Sequence, residues 1–499
     1  MKKTIIILTA LLLTTSAWSQ LSYNETNNLF YHTQRTPQSN LLNPALFPTN
    51  NTFYLTLPSI TTQFGVPLSV KDMVYYDAAQ DVNVIDVDQI LRNLSGDNPF
   101  RLGLDVGILG FGFKAGHLFF DFNTQLKTTF TLGLTGEIIN ALTQGNMDEN
   151  GNAIKEVTLL SGDVFNTQAY LETSIGAGYN IEPINLTIGV HAKLLSGIFN
   201  IQTDNTRVYI ETDENYEKVT AHVYYEAMES AAVPMDTANG GLSSIGSNMR
   251  SHIGEAILNM VDPFGGNTGL SFDIGARYDL GPFSFSASIN DLSAGIHWQN
   301  NVNSVVPAGG EGIIEFQGVE LSNMLSNGNL NTDSLSYMLN EQIKGMLPEF
   351  RFNSQDYWYS IPTKINVAAN YNFAKLLRVG VLLHGQFDRG LLSKKNRTAL
   401  DLSDGVMQTF RFNTTISGGL NLFNWAEFIA ATSIVFDGGK ADFFNPGFGL
   451  ILTPGTFFQT YIMADYVSSI YLTEVKAINV RAGLNLLFGN GGRKRIHDI

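Results

Sequence analysis

Apolar and polar residues alternate with a period of two along much of this chain, in runs longer than the roughly five or six residues of an ordinary strand. Between 477 and 488 one parity reads Ile478, Val480, Ala482, Leu484, Leu486 and Phe488. The other reads Ala477, Asn479, Arg481, Gly483, Asn485 and Leu487. Phe410, Phe412, Thr414, Ile416, Gly418 and Leu420 oppose Arg411, Asn413, Thr415, Ser417, Gly419 and Asn421 in the same way, and 184–191, 270–279 and 364–373 repeat the pattern. Successive side chains of a strand point to opposite faces, so each run predicts a strand with one oily and one wet face.

Links of two lengths separate these runs. Tight ones fall at 114–116, 182–183, 281–282, 374–375, 423–424 and 453–456. Long ones cover 66–100, 132–166, 200–267, 299–360 and 390–408, with shorter ones near 438–439 and 468–475. Tight turns on one side and long loops on the other mark a transmembrane barrel. The expected fold is therefore all-β: a transmembrane antiparallel β-barrel of about fourteen strands over 52–488, with both ends on the tight-turn, periplasmic side. Closure follows from the hydrocarbon, which leaves no water for a free sheet edge. Two long loops carry helical spacing: Met249, Ile253, Ala256, Ile257 and Met260, then Leu335, Met338, Leu339, Ile343 and Met346. They predict short helices over 248–261 and 333–347, packed on the rim.

The first residues, Met1-Lys2-Lys3, lead into an apolar stretch and then Ala17-Trp18-Ser19, which predicts a signal peptide over 1–19 and a mature chain from Gln20. No later apolar run approaches the roughly 18 residues of a spanning helix, so a membrane role needs strands. Export plus a barrel points to the outer membrane of a Gram-negative bacterium. A barrel of this size is wider than its wall side chains can fill. The polar segment 20–51 is then a natural plug, and 489–499, with Arg493, Lys494 and Arg495, a solvated periplasmic tail.

Composition narrows the chemistry. The 33 Phe and 47 Gly suit a lipid-facing surface and bending strands. A net charge of −15, without a basic patch among aromatics, argues against nucleic acid as a partner. Zero Cys removes disulfides, thiolate metal sites and Cys nucleophiles. Alternation sends Asp273, Arg277, Lys364, Arg378, Arg411, Glu427 and Arg481 into the lumen as a charge network, together with Asp105, Asp121, Lys127, Glu172, Lys193, Asp279, Asp388, Asp437 and Asp465. A charge facing lipid at mid-bilayer costs about 2–4 kcal/mol, so inward pairing is expected, as structure more than as a selectivity ring.

His191 and His384 join them without any hydrolase or metal-binding motif, so the expectation is no enzyme, no catalytic residue, no metal and no cofactor. The run from Asp148 to Asn152 imitates the start of a calcium loop, but Leu159 stands where a bidentate Glu belongs, which leaves a turn. Pro446, followed by Gly447, interrupts a strand, and parity slips at Ile108-Leu109 between Gly107 and Gly110. Each is a bulge that relieves curvature or opens the wall.

Asn43-Pro44-Ala45 resembles the signature near the mature N-terminus of the long-chain fatty-acid transporter family of fourteen-stranded barrels. That resemblance implies an N-terminal hatch in the lumen. With Phe53-Tyr54-Leu55-Thr56-Leu57-Pro58-Ser59 and Ile314-Glu315-Phe316-Gln317-Gly318-Val319-Glu320-Leu321, the chain also resembles an uncharacterised family of Bacteroidota outer-membrane proteins, a domain of unknown function, which implies location and barrel. Two functions compete. One is a plugged channel for uptake or export of a hydrophobic or amphipathic small-molecule ligand. The other is a structural or docking barrel for a secretion, motility or surface-assembly complex. Expected partners are outer-membrane lipid, the barrel-assembly machinery during biogenesis, and an unidentified protein in the second case.

Overall fold

The computed structural model describes residues 28–490 apart from 34, 49–50, 67, 78–81, 87–88, 91–97, 135–153, 163, 213–218, 233–265, 308–311, 317–324, 327–328, 331–349, 374–375, 388–409, 423–424, 438–439, 456, 466 and 468–471. The expected signal peptide, both rim helices, the 148–152 turn, Asp388 and the basic tail lie outside the described residues.

A closed antiparallel barrel of 14 strands makes up the fold. Strand β1 comes in two pieces, Asn51–Thr56 and Ser59–Gly65, broken at Leu57-Pro58. Then follow β2 (Asn98–Ala115), β3 (Leu118–Leu134), β4 (Phe165–Ile181), β5 (Leu186–Thr212), β6 (Thr268–Leu280) and β7 (Phe283–Leu292). The second half is β8 (Lys364–Phe373), β9 (Leu377–Phe387), β10 (Phe410–Leu422), β11 (Ala426–Asp437), β12 (Lys440–Leu452), β13 (Phe458–Asp465) and β14 (Ala477–Asn490). The ring closes because both pieces of β1 pair with β14 on one side and β2 on the other.

Which face is which follows from exposure. In β6, Leu270, Phe272, Ile274, Tyr278 and Leu280 are 41–57% exposed, whereas Ser271, Asp273 and Arg277 are at most 4% exposed. A water-soluble sheet would bury the first set and expose the second. Oily outside and charged inside is the arrangement hydrocarbon selects, and the barrel is of the outer-membrane type.

The long links carry strands as well, within their described residues. Glu156–Gly162 and Val219–Ala231 pair on either side of the far half of β5, and Asn303–Pro307, Gly312–Phe316 and Phe350–Asn353 extend that sheet beyond the rim. Gly295–Trp298 pairs with Tyr357–Ser360, and Trp298, Tyr357, Ile296, Tyr170 and Leu195 form an apolar core against β4 and β5. The described helices are short, such as Val70–Met73, which is capped by Ser69 and Asp72.

Candidate functional site

The lumen holds the described residues among 28–48. A short helix, Asn28–His32, and a 3-10 turn, Pro37–Leu41, account for its regular structure. Among the described residues the segment adds no strand to the barrel, and side chains hold it. His32 Nδ1 lies 3.2 Å from Asn370 Oδ1 on β8, and Arg378 on β9 donates to the His32 carbonyl. Gln38 and Asn485 on β14 exchange two amide hydrogen bonds of 2.7 and 3.0 Å. Asn40 Oδ1 lies 3.0 Å from His191 Nε2 on β5, and Ser288 on β7 donates to the Leu42 carbonyl. Phe47 stacks on Phe119 of β3, with ring centroids 4.4 Å apart. A segment this short meets walls on all these sides only from within.

Asn43 is the centre of that seat. Its Oδ1 accepts from the Ala45 amide at 2.9 Å and so folds the local turn. Its Nδ2 donates to the Tyr31 hydroxyl at 2.9 Å and reaches the wall carbonyls of Ala276 and Ala287 at 3.4 and 3.2 Å. The turn lies on two facing glycines, Gly189 and Gly275, where any Cβ would collide with Pro44 and Asn43 respectively. Ala45 is buried beside them.

Apolar contact secures the other end. Leu29 and Phe30 cover an inward patch formed by Ile429, Ile451, Tyr461 and Met463. Phe30 meets Tyr461 edge-on at 5.2 Å, and the Arg481 guanidinium lies 5.2 Å above the Phe30 ring.

The expected charge network resolves into separate groups. Asp273 and Lys364 belong to the largest. In it Lys193 meets Asp291 at 2.8 Å, Asp273 at 2.9 Å and Glu172 at 3.7 Å; Lys127 meets Glu172 at 2.6 Å, and Lys364 meets Asp291 at 3.5 Å. His191 sits between Asp121 and Asp273, 3.2 Å from each, so its ring nitrogens face acceptors on both sides. Arg378 and Glu427 form a second group at 2.8 Å, joined by Arg35 at 3.7 Å. Arg481 pairs with Asp465 at 2.9 Å, and Arg277 with Asp279 at 3.0 Å. The Arg411 side chain lies outside the described atoms. His384 faces Asn366 at 2.7 Å.

Asp291, Arg35 and Asn40 were not among the sequence-predicted residues. Asp291 follows an inward Asn290 and turns inward itself through a positive φ of 59°, which breaks the alternation.

The wall is irregular where the prolines and glycines suggested. Across β2 and β3 the register shifts between Gly107 and Leu109, opposite the Leu57-Pro58 break, and Gly110 packs against Thr56 and Asn123. Pro446 pairs with Thr432 beside a register shift in β11–β12. The described β12–β13 ladder runs only from Leu452 to Phe448, so the missing proline donor lies just past its end, next to Gly447. The Pro446 carbonyl accepts from Val467 at 3.0 Å.

The family described as "Family of unknown function (DUF5723)" matches residues 44–465. No curated protein matches the chain. Among solved structures, the Pseudomonas putida toluene transporter TodX is 11% identical, with 94% of this chain and 96% of that one covered and a TM-score of 0.42. The Ralstonia pickettii toluene transporter TbuX is 11% identical, with 91% and 94% covered and a TM-score of 0.43. A FadL homologue of Pseudomonas aeruginosa is 8% identical, with 91% and 94% covered and a TM-score of 0.39.

Proposed function

The chain belongs to the family of unknown function DUF5723, and we propose that it works as a plugged outer-membrane channel for a hydrophobic or amphipathic small molecule. One observation carries the reading. Ile429, Ile451, Tyr461 and Met463 face the lumen as an apolar patch, covered by Leu29 and Phe30 of a segment that joins no strand ladder among the described residues. Wall residues that only brace a barrel serve as well when polar and paired, as Lys193 and Asp273 do. An apolar patch under a separable lid has a use for apolar cargo.

In this reading 1–19 is the signal peptide, 20–51 the plug, 52–488 the barrel and 489–499 a periplasmic tail. Asn43, Pro44 and Ala45 latch the plug, and the ion pairs of the opposite wall keep the ring rigid. The wall beside Pro446-Gly447, or the step at Gly107 to Gly110, is the exit into the bilayer. At each the strand register shifts.

A docking barrel is the second reading, favoured by the sheet that rises beyond the rim from the far half of β5. Native mass spectrometry of the protein released from its own membrane separates the two. A retained small apolar molecule, lost when Met463→Lys places a charge in the patch, supports the channel. A stoichiometric protein subunit with no small molecule supports docking and rejects the channel.

A further inference from the structure

The membrane-facing wall is unevenly covered. Across β6, β7 and β8 the outward positions Ala276, Ala287 and Ala369 carry only a methyl group, where their neighbours are large. Ala276 and Ala287 are direct cross-strand partners, and Ala369 is the partner of Phe285 one step away. The result is a hollow of about 380 Å³ on the outer face, within the roughly 300–1,000 Å³ usual for ligand sites. Tyr278, Phe285 and Leu383 wall it, each 41–49% exposed. Arg277 and Ser286 border it only through backbone, because their side chains are buried on the lumen side. No charged side chain reaches the space from these bordering residues.

We propose that this hollow binds one acyl chain of a bilayer phospholipid. It is continuous with the apolar belt that every barrel strand presents to the membrane, so hydrocarbon is the medium that meets it. It lies close to the tight-turn edge, since Tyr278 and Phe285 flank the Gly281-Pro282 turn. Phe283, Tyr371 and Phe373 pack ring to ring along that edge, as in the aromatic girdle at headgroup level. The chain therefore comes from the leaflet on the tight-turn side. An empty hollow would forfeit dispersion contacts along its whole lining.

The site also has an inner face. Asn43 binds the carbonyls of the same Ala276 and Ala287 from the lumen, next to Gly275. With glycine inside and alanine outside, the wall here is bare backbone, braced by the N-terminal segment on one side and by lipid on the other. The inference does not depend on whether the barrel transports anything.

The full-length protein is reconstituted in phosphatidylethanolamine–phosphatidylglycerol vesicles containing a phosphatidylcholine with a photoreactive group on its acyl chain. After irradiation, labelling is mapped by peptide. The expected result is several-fold enrichment at 276–287 and 367–383 over the belt at 448–462, with the enrichment lost in Ala287→Phe and, independently, in the milder Ala369→Leu. Folding of each variant is checked by heat-modifiable gel mobility. Uniform labelling around the belt overturns the proposal. So does enrichment that survives filling the hollow, or chain-to-chain cross-links there, which would make a second copy the occupant.

Discussion

At the scale of residues, Asn43 uses one amide for two purposes. Its oxygen folds the turn at Ala45, and its nitrogen reaches Tyr31 and the wall carbonyls of Ala276 and Ala287. Asn43→Ala removes both, and the seat of the segment is expected to weaken by about 1–3 kcal/mol. Asn43→Asp keeps the turn acceptor but aims a second oxygen at two carbonyls, so it is expected to be worse than alanine. Hydrogen exchange of 28–48 checks the order: faster than wild type in both, and fastest in the aspartate. Gly275→Leu drives a side chain into Asn43. It is expected to release the segment to added protease while the barrel keeps its folded gel mobility, and loss of both together would contradict this. The Asn43-Pro44-Ala45 motif was legible in the chain, but its glycine bed was not. Gly189 and Gly275 become partners only through long-range register, which no local pattern encodes.

At the scale of elements, the strands that cross the membrane were legible because each has one face in lipid and one in a polar lumen. That contrast writes a period of two into the sequence. The strands beyond the rim, such as Val219–Ala231, lack the lipid face and carry no such contrast, so they read as loops. The same limit explains why parity can suggest a face for a charged residue but not its group. Parity assigns Arg378 and Glu427 to the lumen, while the register of β9 to β11 and the path of the N-terminal segment decide that Arg35 joins them. Glu427 ties the segment to two strands. Glu427→Gln leaves both cations without their carboxylate, and the barrel is expected to lose about 3–5 kcal/mol against urea, because a half-removed buried pair strands its charge. Arg35→Gln, which leaves the closer Arg378–Glu427 pair intact, is expected to cost clearly less. Equal losses in urea titrations would argue against this grouping.

At the scale of the whole molecule, three groups of side chains line the lumen. An aromatic core packs against β4 and β5, paired charges run along the β3 to β8 side, and Leu29 and Phe30 of the N-terminal segment lie over the apolar wall of β11 to β13. Among the described residues only the last of these comes from a segment without a ladder, and in the proposed channel it is the moving part. The chain has no Cys, and Gln38 and Asn485 touch through two hydrogen bonds, so a Gln38→Cys, Asn485→Cys pair offers a unique tether. The decisive measurement is entry of the hydrophobic dye 1-N-phenylnaphthylamine into cells carrying this variant, with the two thiols joined by a short cleavable bis-maleimide. The account predicts that joining them reduces entry to that of cells lacking the protein, and that cleaving the linker restores it. Equal entry with the tether closed and open, or entry never above that of cells lacking the protein, would contradict it.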